Sequence, residues 1–188
     1  MRVSRPVRGR GAAHDERRGA ILEAVFAIID TEGTHQVSIR RVAEQAGVSV
    51  GRVQHYFPSK DDLLTAAFTA INDLGTARVQ ARLSDSTQPA EALLTELIPV
   101  TSEDRRLFRV AQAFETHALT NPSLSEQLRQ GYDELIGLLT VLVGPAAKEL
   151  LAMALGLANL TLTGNLTPEE ARAIVRSGIE KHGAHPRS

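Results

Sequence analysis

The chain has 188 residues, of which 43% are apolar and 23% charged, the composition of a soluble globular protein with one large or two small domains. It has no cysteine, which excludes a disulfide framework, a thiolate metal site and a cysteine nucleophile, and fits a reducing cytoplasm. The net charge of −1 hides a division: residues 1–60 hold ten Lys/Arg against six Asp/Glu, and residues 61–188 hold eleven against sixteen, so the amino end is the basic part.

Residues 1–14, "MRVSRPVRGRGAAH", carry four arginines, no acid and no apolar period, and read as a disordered basic arm. Asp15 is a candidate N-cap for a first helix, in which Ile21, Leu22, Val25, Ile28 and Ile29 recur at helical spacing until Gly33. Ser38 caps a second helix over 39–46, ended by Gly47, and Ser49 caps a third over about 50–56, stopped by Pro58. Ser59 opens a fourth, with Asp61 and Asp62 in its first turn, where the helix dipole favours acids. It runs to roughly Leu83. Beyond the polar loop "SDSTQ" the pattern stays helical: Pro89 to Pro99, then about 103–119, then a long helix after Asn121-Pro122 for which Ser123 and Glu126 supply a capping box. After Gly144-Pro145 comes an aliphatic helix over about 146–163. Thr167, Pro168 and Glu170 open a last helix that ends at Gly183, before a short tail over 184–188. The prediction is an all-α fold of about nine helices, without internal repeats. The most apolar run, "LLAMALGLANLTLTG", is short and contains Asn159, which predicts a buried helix and no membrane span.

Two short helices joined by a glycine turn make a helix-turn-helix. Ala43 is small enough for the helices to cross closely, and Gly47 can take a positive φ. On the third helix Val53 and Phe57, helped by Val48, form an inward side. Gly51, Arg52, His55 and Tyr56 are expected on the opposite half, with Gln54 on the flank. Such a helix suits the major groove of DNA, where Arg52 can bond guanine and Gln54 adenine, while the methyls of Val50 meet a thymine methyl. His55 and Tyr56 reach phosphates or bases. Arg40 and Lys60 flank the reading helix and suit phosphates, and Ser49 sits at a helix N-terminus that favours an anion.

Residues 15–64 resemble the DNA-binding domain of the TetR family of transcriptional regulators. The resemblance lies in the first helix ending "TEG", then "VSIRRVAEQAGVS", then "HYFPSKDDLL". It covers about a quarter of the chain. It implies a helix-turn-helix domain over 15–62 followed by a ligand-binding and dimerisation domain over 63–183. It also implies DNA contacts through Arg40, Ser49, Gly51, Arg52, Gln54, His55, Tyr56 and Lys60. The family often has a small residue or Thr where Arg52 stands, and Tyr at Gln54, so the docking mode carries over and the operator sequence does not. In the arm, "RPVRGRG" resembles the core of minor-groove AT-hook peptides, whose arginines suit a narrow A·T-rich groove.

In the remaining three-quarters, Ala152, Ala154, Gly156 and Ala158 allow a second helix to approach closely. The last helix shows Ala171, Ile174, Val175, Gly178 and Ile179 along one stripe. This pair is expected to join its symmetry mate in a homodimer. Polar Asn72, Gln112, Glu115, His117, Tyr132 and Asn159 stand within apolar helices. Candidate ligand-binding residues are Phe68, Asn72, Phe114, His117, Tyr132 and Asn159, around a small effector that the aliphatic surroundings predict to be lipophilic. No convergent catalytic set, phosphate loop or metal pair appears, so neither an enzyme nor a cofactor is expected. The predicted function is a ligand-responsive regulator, a repressor by resemblance, acting on a palindromic operator. The rival is a helical interaction or small-molecule-binding module without DNA binding.

Overall fold

A computed structural model of the chain describes residues 10–84 and 86–183. Among these residues are nine α-helices, two short 3-10 turns and no strand. The helices are α1 Arg10–Glu32, α2 Ile39–Ala46, α3 Val50–Tyr56, α4 Lys60–Ser84, α5 Pro89–Glu96, α6 Ser102–Ala118, α7 Pro122–Val143, α8 Ala147–Leu162 and α9 Pro168–Gly183. The chain divides into two compact units, one up to Ala70 and one from Ile71, and α4 belongs to both.

Local signals shape the first unit. Ser38 is extended and its hydroxyl accepts from the Arg41 N–H at 3.1 Å, satisfying one of the free donors of α2. Gly47 ends that helix at φ 65° and ψ 33°, while the Val48 N–H reaches back to the Ala43 carbonyl at 3.0 Å. A Cβ built on Gly47 meets nothing within 4 Å, so the backbone conformation, not crowding, calls for glycine here. Ser49 repeats the capping device for α3, accepting from the Arg52 N–H at 3.2 Å. The core of this unit takes Ile21, Val25, Phe26, Ile28 and Ile29 from α1, Val42, Val53 and Phe57 from the turn motif, and Leu63, Ala67 and Phe68 from α4, all buried. Arg41 pairs with Glu32 at 2.7 Å, fastening α2 to the end of α1.

The start of α1 corrects the sequence reading. The helix begins at Arg10, not at Asp15, so residues 10–14, expected in the disordered arm, are helical. Ala12 and Ala13 favour helix, and no residue there stops it. The rest of the arm, with most of "RPVRGRG", and the tail over 184–188 lie outside the described residues.

In the second unit, the α6 cap is a reciprocal box. The Thr101 hydroxyl accepts from the Asp104 N–H at 3.0 Å, and the Asp104 carboxylate accepts from the Thr101 N–H at 2.8 Å. The cap of α7 is Asn121, which accepts from the Leu124 N–H at 3.2 Å, and not Ser123, which lies inside the helix. Pro122 decides this, because proline fits the first helical position and so sets the cap one residue before it. The core gathers Leu93 and Leu94 of α5 with Ile98 just past its end, Leu139 of α7, Leu150, Leu151, Ala154 and Ala158 of α8, and Ala171 and Val175 of α9.

The α9 stripe expected to face a symmetry mate is largely spent inside the unit. Ala171 and Val175 are buried in the core, and Ile179 packs against it. A Cβ on Gly178 would lie 2.6 Å from Met153 Cε, so this glycine lets α9 close onto α8 of its own chain. Among the residues that stay exposed on the pair are the small or apolar Ala152, Gly156 and Leu160 of α8 with Ile174 and Ser177 of α9. The stretch 122–162 is long and apolar enough to qualify as a membrane span by length and composition. Gly144, at φ 64°, and the 3-10 turn over Gly144–Ala146 interrupt it, and the buried side of α8 faces the core of the unit.

Candidate nucleic-acid interface

Helix α3 has only seven residues, so its orientation is set by what surrounds it. Val53 is fully buried and Phe57, the first residue past the helix, is buried as well. With these two facing in, Gly51, Arg52, Gln54 and His55 are exposed, as is Val50 at 42%. Ser49, Arg40 on α2 and Lys60 at the start of α4 are exposed too. The Lys60 ammonium donates to the His35 carbonyl at 3.5 Å. From Gln45 to Lys60 the chain has no acidic residue, and Arg52 and Lys60 are its cations there. The surface therefore offers donors and positive charge to an anion.

Tyr56 departs from the expected arrangement. Three residues on from Val53, it stands about 60° from the buried direction, not opposite it, and is half-buried. Its ring meets the imidazole of His14, with centroids 4.7 Å apart and planes at 49°, and the His55 ring edge-on at 5.4 Å. One helical turn further along α1, the Arg18 guanidinium lies over the Phe57 ring at 5.4 Å. Val48, expected in the inward set, is half-buried. The sequence reading missed His14 and Arg18. Their spacing of four residues, opposite the adjacent aromatics Tyr56 and Phe57, is a pattern that shows only once α1 is known to extend past them.

The candidate ligand residues are scattered. Phe68 is buried in the first unit and Phe114 in the second. Asn72 is exposed and His117 half-buried. Two polar pairs do form on one face of α6. The Tyr132 hydroxyl donates to Glu115 Oε1 at 3.0 Å, and Gln112 Nε2 donates to Asn159 Oδ1 at 3.1 Å. Burial raises the Glu115 carboxyl above its ordinary range, against the opposing hydrogen bond from Tyr132. Burial and the Glu115 charge together push the Tyr132 phenol up as well. A surface cleft of about 330 Å³ lies elsewhere, along Leu142, Arg176 and Ile179, and holds none of the six candidates.

Two family models cover most of the chain. Residues 21–67 match that of the bacterial regulatory proteins of the tetR family, and residues 87–184, half of the chain, match that of the BetI-type transcriptional repressor C-terminal domain. The chain belongs to the TetR family. This TetR-family chain is 27% identical over 185 residues to the HTH-type transcriptional regulator BetI of Vibrio atlanticus, covering 89% of the chain and 92% of that protein. It is 32% identical over 108 residues to the HTH-type transcriptional regulator PksA of Bacillus subtilis, spanning 56% of the chain and only 53% of PksA. Several matches to other curated BetI proteins likewise span little more than half of their length.

Among solved structures, a transcriptional regulator from Rhodococcus sp. Rha1 superposes with a TM-score of 0.80 at 27% identity, over 87% of this chain and 94% of that one. A putative transcriptional regulator from Saccharomonospora viridis, in complex with choline, gives 0.77 at 25% identity, over 88% and 96%. The TetR-family chain is thus a helix-turn-helix transcriptional regulator, and the exposed face of α3 belongs to its helix-turn-helix.

Proposed function

We propose that the chain is a cytoplasmic, homodimeric repressor that binds a palindromic operator and lets go when a small effector binds its second unit. The observation that carries the reading is the exposed set Arg52, Gln54 and His55 on a capped helix whose opposite side, Val53, is completely buried. In it Arg52, Gln54 and Tyr56 read base edges, Val50 and Gly51 allow close approach, and Arg40, Ser49 and Lys60 hold phosphates. The test is a gel shift at stated salt with a duplex selected by the wild-type protein from fragments of the source genome. Arg52→Ala and Tyr56→Ala are each expected to weaken binding by about tenfold or more, the worth of one good base or phosphate contact. Unchanged affinity in both variants would take operator recognition away from this face of α3.

For the effector, the choline bound by the Saccharomonospora regulator supports an organic cation. Glu115 has the matching chemistry: a half-buried carboxylate with a tyrosine hydroxyl as its hydrogen-bond partner. Tyr132 supplies an aromatic face beside it. In this reading Asn159, held by Gln112 on the same face of α6, completes the surroundings, and aliphatic side chains of the unit take the methyl groups of such a cation. Release follows from linkage: an effector that favours a spacing of the two reading heads unsuited to DNA weakens DNA binding by the factor that DNA weakens effector binding.

A further inference from the structure

We propose that His14, on the first helix, is a positioning residue for DNA recognition that acts through Tyr56. The inference rests on the DNA-binding reading above. It starts from where α1 begins. Because the helix extends back to Arg10, it carries His14 and Arg18 on one face, a turn apart, against the last residue of α3 and the residue after it. Arg18 over buried Phe57 anchors that crossing. His14 meets Tyr56 at 4.7 Å, and its own side chain is 53% exposed, so the contact lies at the surface beside the exposed reading residues.

A tyrosine at the end of a short helix is otherwise free to swing about χ1. Ordering it on DNA costs conformational entropy each time the complex forms. With the His14 ring 4.7 Å away and the His55 ring 5.4 Å away, that rotor is already confined before DNA arrives. The role requires a flat ring at position 14 and neither a charge nor a hydrogen bond from it. The imidazole does have a polar neighbour, the Asp15 carboxylate 3.6 Å from Nδ1, at a separation too long for a hydrogen bond.

The test uses the full chain and a duplex selected from a random pool by the wild-type protein, with a scrambled duplex of equal length as the nonspecific reference. His14→Ala is expected to bind the selected duplex about three- to tenfold more weakly, the cost of freezing one side chain, with little change on the scrambled one. His14→Phe, which keeps the ring, restores binding, and His14→Lys, which supplies a positive charge without a ring, does not. On a Tyr56→Ala background the His14→Ala change has no further effect. Thermal midpoints of the variants are expected to match the wild type.

The proposal is overturned if His14→Ala binds like the wild type, or if His14→Phe is as weak as His14→Ala, which would make the imidazole a direct contact. Equal losses on both duplexes with a flatter salt dependence would do the same, by marking a phosphate contact. A fall in thermal midpoint that accounts for the loss would assign His14 to stability alone. A wild-type protein that selects no duplex would remove the DNA-binding reading itself, and this inference with it.

Discussion

Glu115 shows what one side chain can cost. Its carboxylate is half-buried on α6, the Tyr132 hydroxyl is its hydrogen-bond donor, and burial raises its pKa. A raised carboxyl contributes stability that is fully present below the ordinary value of about 4.3 and is lost as pH rises through the folded value, so at neutral pH the ionised form is a burden. Glu115→Gln keeps an acceptor for Tyr132 and removes the charge. It is expected to raise the thermal midpoint at pH 7 by on the order of 2 °C, with the gain shrinking toward pH 4, as followed by calorimetry. The same variant is expected to lose any binding of choline measured by titration calorimetry. A Glu115→Gln variant less stable than the wild type at pH 7 would contradict this account of the residue. A group kept at such a cost fits a role in binding.

The joint between α5 and α6, by contrast, is held by a carboxylate that is fully satisfied. Asp104 is buried, caps α6 through Thr101, also accepts from the Val100 N–H at 3.1 Å, and is paired with Arg78 of α4. Glu96 of α5 pairs with Arg78 at 2.7 Å and Arg82 at 2.9 Å, so α4, α5 and α6 meet in one charge cluster. Burial alone would raise the Asp104 pKa, but the Thr101 and Val100 N–H groups and the Arg78 guanidinium outweigh it and hold the carboxyl well below the usual range. The stability it supplies is therefore present above about pH 4 and lost as acid protonates it. Asp104→Ala is expected to cost about 1–2 kcal/mol, mostly the cap, because Arg78 is 36% exposed and its ion pair is screened. Denaturant melts at pH 7 and pH 3 check it: the difference between variant and wild type should narrow in acid. An undiminished difference at pH 3 would rule out the charge as the cause.

For the molecule as a whole, one short reading helix specifies few base pairs, and two copies at half-site spacing are what make an operator specific. The surface proposed to join the copies is the exposed side of α8 and α9, where Leu160 is 42% and Ile174 41% exposed and Gly156 lies between turns of α8. A Cβ on Gly156 meets nothing in its own chain, so a larger residue there leaves the fold of the monomer intact. Gly156→Arg is expected to shift sedimentation from dimer toward monomer and to weaken operator binding at least tenfold, without lowering the thermal midpoint of the monomer. A Gly156→Arg protein that sediments as a full dimer would move the interface elsewhere, with exposed Val141 of α7 as the next surface to test.

Much of the fold was legible in the chain because its signals are local. Ser38, Gly47, Ser49 and Pro58 each act on backbone groups within a few residues, so the ends of α2 and α3 followed from sequence alone, as did the burial of Val53 and Phe57 and the exposure of Arg52 and Gln54. Where two local signals competed, as with Asn121 and Ser123, a proline between them decided. Tertiary structure alone settled the contacts between residues far apart in the chain: His14 on Tyr56, Tyr132 on Glu115, Asp104 under Arg78, and Gly178 against Met153. Periodicity tells which side of a helix is apolar, but not which neighbour will cover it. That choice belongs to the packing of the whole chain.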